Sequence, residues 1–240
     1  MLNQQNDGSF NLNIFDSPEN AASSLAQQII DQTLEIIEKQ GSCVWAVSGG
    51  STITKLYDAL LLHDEALREI CNKLTVIWVD ERVVPHTHQD SNFGSAYNYF
   101  WSKYKDANLI PVPYQQDAEE AAKVYDSVLS ENGVEPGNVD ITILGMGTDG
   151  HTASLFPGNS ALMERNKKIV FVEDSSVQQP RVSLTFPFIN SSRHIYLLFY
   201  GAGKAHTFQQ AVNSGSVDDY PVLGIKRANL GIYIDQDLTF

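Results

Sequence analysis

Cysteine is scarce: Cys43 and Cys71 are the only two in 240 residues. Each stands beside an apolar run and no Cys-x-x-Cys spacing occurs, which argues against a disulfide framework or a zinc knot and leaves two inert thiols in a reducing compartment. No run approaches the ~18 apolar residues of a membrane span. Met1 to Phe10 is polar, without the basic start and apolar stretch of a signal peptide, so the expected location is the cytoplasm. Basic residues are also few: 16 Lys and Arg against 29 Asp and Glu give a net charge of −13. Such a chain repels nucleic acid and anionic membranes, and can hold a small anion only where a few cations and backbone N–H groups gather at one spot. G-x-S-x-G, H-E-x-x-H and G-x-x-x-x-G-K-[ST] are all missing, against a serine hydrolase, a zincin or a P-loop NTPase. The expected partner is a small molecule, met by a monomer or weak homo-oligomer.

The chain does have enough apolar residues, 42%, for a core of ordinary size, and its length favours a single domain over 1–240. Ser17-Pro18-Glu19 supplies a cap, a first-turn proline and an acid before an apolar stripe from Ala22 to Ile37, and Gly41 stops that helix. Short apolar runs at 44–47, 74–79, 139–144, 169–172, 182–186, 195–199 and 230–234 predict buried strands. Segments 52–62, 118–129 and 204–212 predict helices between them. The alternation implies an α/β, doubly wound, mostly parallel sheet with helices on both faces. Ligands in such sheets sit beyond the carboxyl ends of the strands, which is where chemistry is to be sought.

Three strand ends carry informative residues. After Val47 comes Ser48-Gly49-Gly50-Ser51-Thr52, either a tight capped turn or a phosphate cradle in which glycines bring backbone N–H groups and a helix start close to an anion. After Val79 comes Asp80-Glu81-Arg82, where an acid either orients an arginine fork or makes a structural ion pair. His86-Thr87-His88-Gln89-Asp90 has the H-x-H-x-D spacing of binuclear zinc hydrolases, but Ser91 replaces the next histidine, and Asp90-Ser91-Asn92 reads more naturally as a helix cap. After Leu144 comes Gly145-Met146-Gly147-Thr148-Asp149-Gly150-His151, which satisfies G-x-G-x-x-G. A dinucleotide site needs a long helix directly afterwards, and Pro157-Gly158 forbids one. The glycines are better read as holding Asp149 and His151 at a strand end, where a histidine can serve as a positioned general base.

Together, 47–52, 79–85 with 90–92, and 144–158 resemble the 6-phosphogluconolactonase family in order and separation, with Arg181-Val182-Ser183-Leu184-Thr185 and Gly203-Lys204-Ala205 similar to its later motifs. The resemblance implies the fold of glucosamine-6-phosphate deaminases, ribose-5-phosphate isomerases and CoA transferases, and hydrolysis of a phosphorylated sugar lactone without metal or organic cofactor. It implies His151 as general base oriented by Asp149, and a phosphate held by Ser48, Gly49, Gly50, Ser51 and Thr52 with Arg82, Arg181 and Lys204. Asp80 is left to a substrate hydroxyl or a supporting contact. The deaminase and isomerase branch has a glutamate where this chain has Phe156, and an apolar ring cannot shuttle a proton. A sugar-phosphate isomerase or deaminase and a catalytically silent sensor are the alternatives. Ile53 and His86 stand where the family commonly has proline, and neither removes a chemical group.

Overall fold

In the computed structural model, which describes residues 3–5, 10–175, 177–236 and 238, the apolar runs form the middle of one large sheet. Its strands are β1 (Asn3–Gln5), β2 (Asn11–Ile14), β3 (Cys43–Val47), β4 (Leu74–Trp78), β6 (Asn108–Ile110), β7 (Ile141–Gly145), β10 (His194–Phe199) and β11 (Leu230–Ile234). They lie in the order β1-β2-β11-β10-β7-β3-β4-β6, all parallel except β1 at the edge. Nearly every residue of β3, β7, β10 and β11 is buried whichever way its side chain points, so both faces are covered. The helices are α1 (Pro18–Gln40), α2 (Ser51–Leu60), α3 (Asp64–Ile70), α4 (Asn92–Tyr99), α5 (Ala118–Glu131), α6 (Phe186–Ile189) and α7 (Ala202–Ser214). Ser17 caps α1 and Gly41, at φ 88°, ends it in the left-handed conformation. Thr33 of α1 accepts a hydrogen bond from Trp45 Nε1 at 3.0 Å, tying the longest helix to β3.

Two expected strands belong elsewhere. Residues 169–172 and 182–186 were expected in the parallel sheet, but β8 (Ile169–Val172) and β9 (Arg181–Leu184) pair antiparallel with each other. With β5 (Asp80–Arg82) they form a second, three-stranded sheet. A short apolar run signals burial but not the direction of its partner. Phe186 lies outside the strand because Thr185 caps α6 there.

The chain winds from β3 outward to β4 and β6, returns to β7 on the other side of β3, and winds away through β10 and β11. The reversal between β3 and β7 is the topological switch point, where a crevice opens beyond the strand ends. Ser48 follows β3 there, and Met146 follows β7. No described helix is long and apolar enough to cross a membrane.

Candidate active site at the switch point

Two of the helices that begin at this crevice, α2 and α7, lack the side-chain cap that four others have. Ser17, Ser91, Asp117 and Thr185 cap α1, α4, α5 and α6 with side-chain oxygens. At α2 and α7 the capping residues are Gly50, φ 90°, and Gly201, φ 86°, which offer no side chain. First-turn N–H groups without a cap, at the positive end of a helix dipole, are ready to meet an anion. Lys204 in the first turn of α7 reaches Thr52 Oγ1 at 3.4 Å across the gap between the two helix starts. Burial lowers the Lys204 pKa, and no carboxylate pairs with it among the described residues. Ser48 Oγ is buried without a partner in the same cleft.

In β5 the three adjacent charges do different things, and the expected ion pair is not one of them. Asp80, 7% exposed, accepts a hydrogen bond from Ser154 Oγ at 2.6 Å. Glu81, 2% exposed, accepts from the backbone N–H groups of Arg82, Asn92 and Phe93 and from Ser91 Oγ. Arg82 Nη1 donates to the Asp90 carbonyl at 2.9 Å, while its Nε is buried without a partner. Arg181 faces Arg82 across the β5–β9 register, and burial, then the neighbouring Arg82 charge, lowers its pKa. It donates to the Gln179 carbonyl and does not line the cleft.

Beyond β7, His151 Nδ1 lies 2.6 Å from Asp149 Oδ1. Burial alone would raise the Asp149 carboxyl, but the hydrogen bond and charge of His151 outweigh it and hold it below the usual aspartate value. An ionised carboxylate only accepts, so Nδ1 is the donor of this bond, and in the neutral form of the ring Nε2 carries the lone pair. Gly147 makes this pairing possible: a Cβ there would stand 2.2 Å from His151 Nδ1 and 2.5 Å from Asp149 Oδ1. The Phe156 ring packs tilted against the imidazole, centroids 4.8 Å apart. No long helix follows Gly150; the segment turns through a bridge between Thr152 and Leu155, which removes the dinucleotide reading.

Nine of the eleven expected site residues, Ser48 to Thr52, Asp80, Arg82, His151 and Lys204, line one cleft of about 200 Å³. Asp149 stands behind His151, and Arg181 beside Arg82. The volume falls short of the roughly 300–1,000 Å³ of pockets for drug-sized ligands and suits one small molecule. Sequence reasoning missed Asn92 and Ala153, which also line it. Asn92 was visible only as part of a helix cap. Ala153 holds φ 53°, the one positive value outside glycine among the described residues, and strain of this kind concentrates at functional sites.

A larger cavity, about 880 Å³, lies between α5, β8 and residues 159–167. Several of its charges are already engaged: Lys123 pairs with Glu119, and Glu164 accepts from the backbone of residues 165–167. It lies away from the switch point of the parallel sheet and has no uncapped helix start among its lining, so the smaller cleft is the better candidate. His86 Nε2 contacts the Val112 carbonyl at 2.8 Å, and His88 Nδ1 accepts from the Asp90 N–H. No group of three His, Cys, Asp or Glu residues converges on a metal position among the described residues.

The sequence profile of the family described as glucosamine-6-phosphate isomerases/6-phosphogluconolactonase matches residues 16–234. 6-Phosphogluconolactonase 3, chloroplastic, of Arabidopsis thaliana is 36% identical over an alignment of 214 positions that covers 83% of this chain; the chain spans 65% of that protein's length. The 6-phosphogluconolactonase of Rhizobium meliloti is 32% identical over 226 residues, 91% of this chain and 94% of the relative. Among solved structures, a 6-phosphogluconolactonase from Shewanella baltica superposes with a TM-score of 0.85 at 27% identity, covering 94% of this chain and 97% of the other. A monomeric glucosamine-6-phosphate deaminase reaches 0.77 at 18% identity over 94% of this chain and 97% of its own, a likeness of fold alone.

Proposed function

The chain belongs to the glucosamine-6-phosphate isomerase/6-phosphogluconolactonase family, and from that premise we propose that it hydrolyses 6-phospho-D-glucono-1,5-lactone to 6-phospho-D-gluconate in the oxidative pentose phosphate pathway. The observation that carries the reading is the 2.6 Å His151–Asp149 pair on the cleft wall, in the same cleft as the uncapped start of α2 and the cations Arg82 and Lys204. The substrate phosphate lies against the N–H groups of Gly49 to Thr52, with Lys204 and Arg82 completing its charge. The lactone carbonyl then faces His151.

His151 Nε2 takes a proton from water as the water oxygen attacks C1. A tetrahedral oxyanion forms, and its collapse breaks the C1–ring-oxygen bond and opens the ring; the departing oxygen takes the proton back from the imidazolium. Asp149 keeps the imidazole in the tautomer this requires and stabilises it when protonated. A general base contributes ~10²- to 10⁴-fold, enough for a reactive lactone, and the chain's own groups supply each proton transfer. Asp80, which accepts a hydrogen bond from Ser154, serves in this reading as a substrate-hydroxyl acceptor or a supporting contact. Phe156 against His151 speaks for lactone opening over isomerisation, since the imidazole has an apolar neighbour there instead of a second acid.

The named lining residues of the cleft all come from one chain, as a monomer or weak homo-oligomer requires, and the proposed place of action is the cytoplasm. The test is an assay of disappearance of the phosphorylated lactone, coupled to 6-phosphogluconate oxidation. Turnover well above spontaneous opening supports the reading, and a rate equal to the spontaneous one overturns it.

A further inference from the structure

Glu81 is a carboxylate with no evident part in the reaction, yet it is more deeply buried than any charged side chain that lines the cleft. Burial pushes its pKa above the ordinary glutamate value, against the pull of four donors. Those donors sit on both sides of a long loop. The Arg82 N–H, at 2.7 Å, belongs to β5; the N–H groups of Asn92, at 2.7 Å, and Phe93, at 2.8 Å, open α4, with Ser91 Oγ at 3.0 Å beside them. The carboxylate therefore closes residues 82–92 at their base and fills the start of α4 as an internal anion.

What it closes matters for the cleft, because both ends of the loop are cleft residues. Arg82 is one. Asn92 is the other: its Nδ2 donates to the Asp80 carbonyl at 2.9 Å, and its Oδ1 would lie 2.0 Å from a Cβ on Gly49. Asn92 thus braces the turn that presents the Gly49 to Thr52 N–H groups. One buried carboxylate sets the register between the cation and the N–H cradle.

We propose that Glu81 is a positioning residue for phosphate recognition: by binding the Arg82 backbone and the first turn of α4 together, it fixes Arg82 relative to the Gly49–Thr52 turn. The inference rests on the proposed reading of Arg82 and that turn as the phosphate site. Glu81→Gln keeps the shape but replaces one accepting oxygen by a donor that faces N–H groups.

The experiment measures kcat and KM of the wild type, E81Q, R82A and the double variant on 6-phosphogluconolactone and on unphosphorylated gluconolactone. In E81Q the preference for the phosphorylated substrate, as a ratio of kcat/KM values, is expected to fall about tenfold, mostly through KM, a shift a merely destabilised fold would not produce. In the R82A background the same change should cost under threefold more, because both act on one contact. An unaltered preference in E81Q with R82A impaired overturns the proposal and leaves the phosphate site standing. An unaltered preference in R82A itself overturns the site reading. Should E81Q fail to fold, S91A removes one donor to the same carboxylate; a preference lowered through KM supports the proposal, and a preference equal to wild type overturns it.

Discussion

The two ends of the parallel sheet solve opposite problems. At the amino end the buried Asp140 carboxylate, just before β7, is fully engaged: the Val44 N–H donates at 2.9 Å, Gln40 Nε2 at 3.1 Å, and Arg193 Nη1 pairs at 3.1 Å. Arg193 in turn donates to Gln40 Oε1, and the network ties α1, β3, β7 and the start of β10 together. At the carboxyl end the polar groups are left wanting. Ser48 Oγ and Arg82 Nε have no partner, Lys204 lacks a counter-ion among the described residues, two helices start uncapped and Ala153 is strained. A buried polar group left unsatisfied costs roughly 1–3 kcal/mol, so the open end is where the hydrogen-bonding groups of a ligand would gain most. Stability belongs to the lower end and chemistry to the upper, and variants at each should separate the two.

The largest effect is expected at the upper end. His151→Ala should lower turnover of the phosphorylated lactone by ~10²- to 10⁴-fold and leave the melting temperature nearly in place, because the side chain stands on a loop and not in the core. Gly147→Ala should reproduce much of that loss with His151 intact, since its methyl would occupy the space in which the Asp149–His151 bond forms. Near-wild-type turnover in folded H151A would remove His151 from the mechanism.

Asp140→Ala should do the reverse. It strands the Val44 N–H and removes the anion beside Arg193, a loss of about 3 kcal/mol if the hydrogen bonds to a buried charge dominate. In a chain of this size that lowers the melting temperature by ~6–12 °C. Turnover per folded molecule should stay within about twofold of wild type. Calorimetry with an activity assay decides; an activity loss larger than the unfolded fraction would mean that the two ends are coupled.

How the sequence foretold this division can be followed residue by residue. Strand ends were legible because short apolar runs bounded by turn residues mark them, and of the groups just beyond, Ser48 to Thr52, Asp80, Arg82, Gly145 to Gly147 and His151 do line the cleft at the switch point. The helix cap at Ser91 was legible as local chemistry. What could not be read was anything that depends on the partner of a strand or the far end of a loop. β8 and β9 look like any buried strand until their antiparallel pairing appears. Glu81 looks like half of an ion pair until the fold brings residues 91–93 onto it. Arg181 was expected in the phosphate-binding set with Arg82 and Lys204, the direct contact among the three being left open, and it lies beside Arg82 outside the lining of the cleft.

That last difference gives the next prediction. Lys204→Ala and Arg82→Ala should each weaken use of the phosphorylated lactone by ~10- to 100-fold, equivalent to ~1.5–3 kcal/mol for a charge-assisted contact, and affect unphosphorylated gluconolactone far less. Arg181→Ala should shift the same ratio by less than about fivefold, because it acts only through its field on Arg82. An Arg181 effect as large as that of Lys204 would require a direct contact and a cleft that changes shape on binding.

The smallest effect concerns acid. The His151 hydrogen bond and charge hold Asp149 below its ordinary value in the folded state, although burial alone would raise it. A carboxyl so lowered adds stability that is fully present above the unfolded-state value, about 3.9 for aspartate, and is lost as pH falls through the folded-state value. Asp149→Asn never carries that charge, so its melting temperature should lie slightly below wild type at neutral pH and the gap should close on acidification. The side chain is 47% exposed, so solvent screens the pair and the gap should be no more than a few degrees. Paired melting curves from pH 7 down to about 3 measure it. A gap that stays constant over that range would show that Asp149 contributes through shape and not through charge, and would leave the orientation of His151 to Gly147 and Phe156 alone.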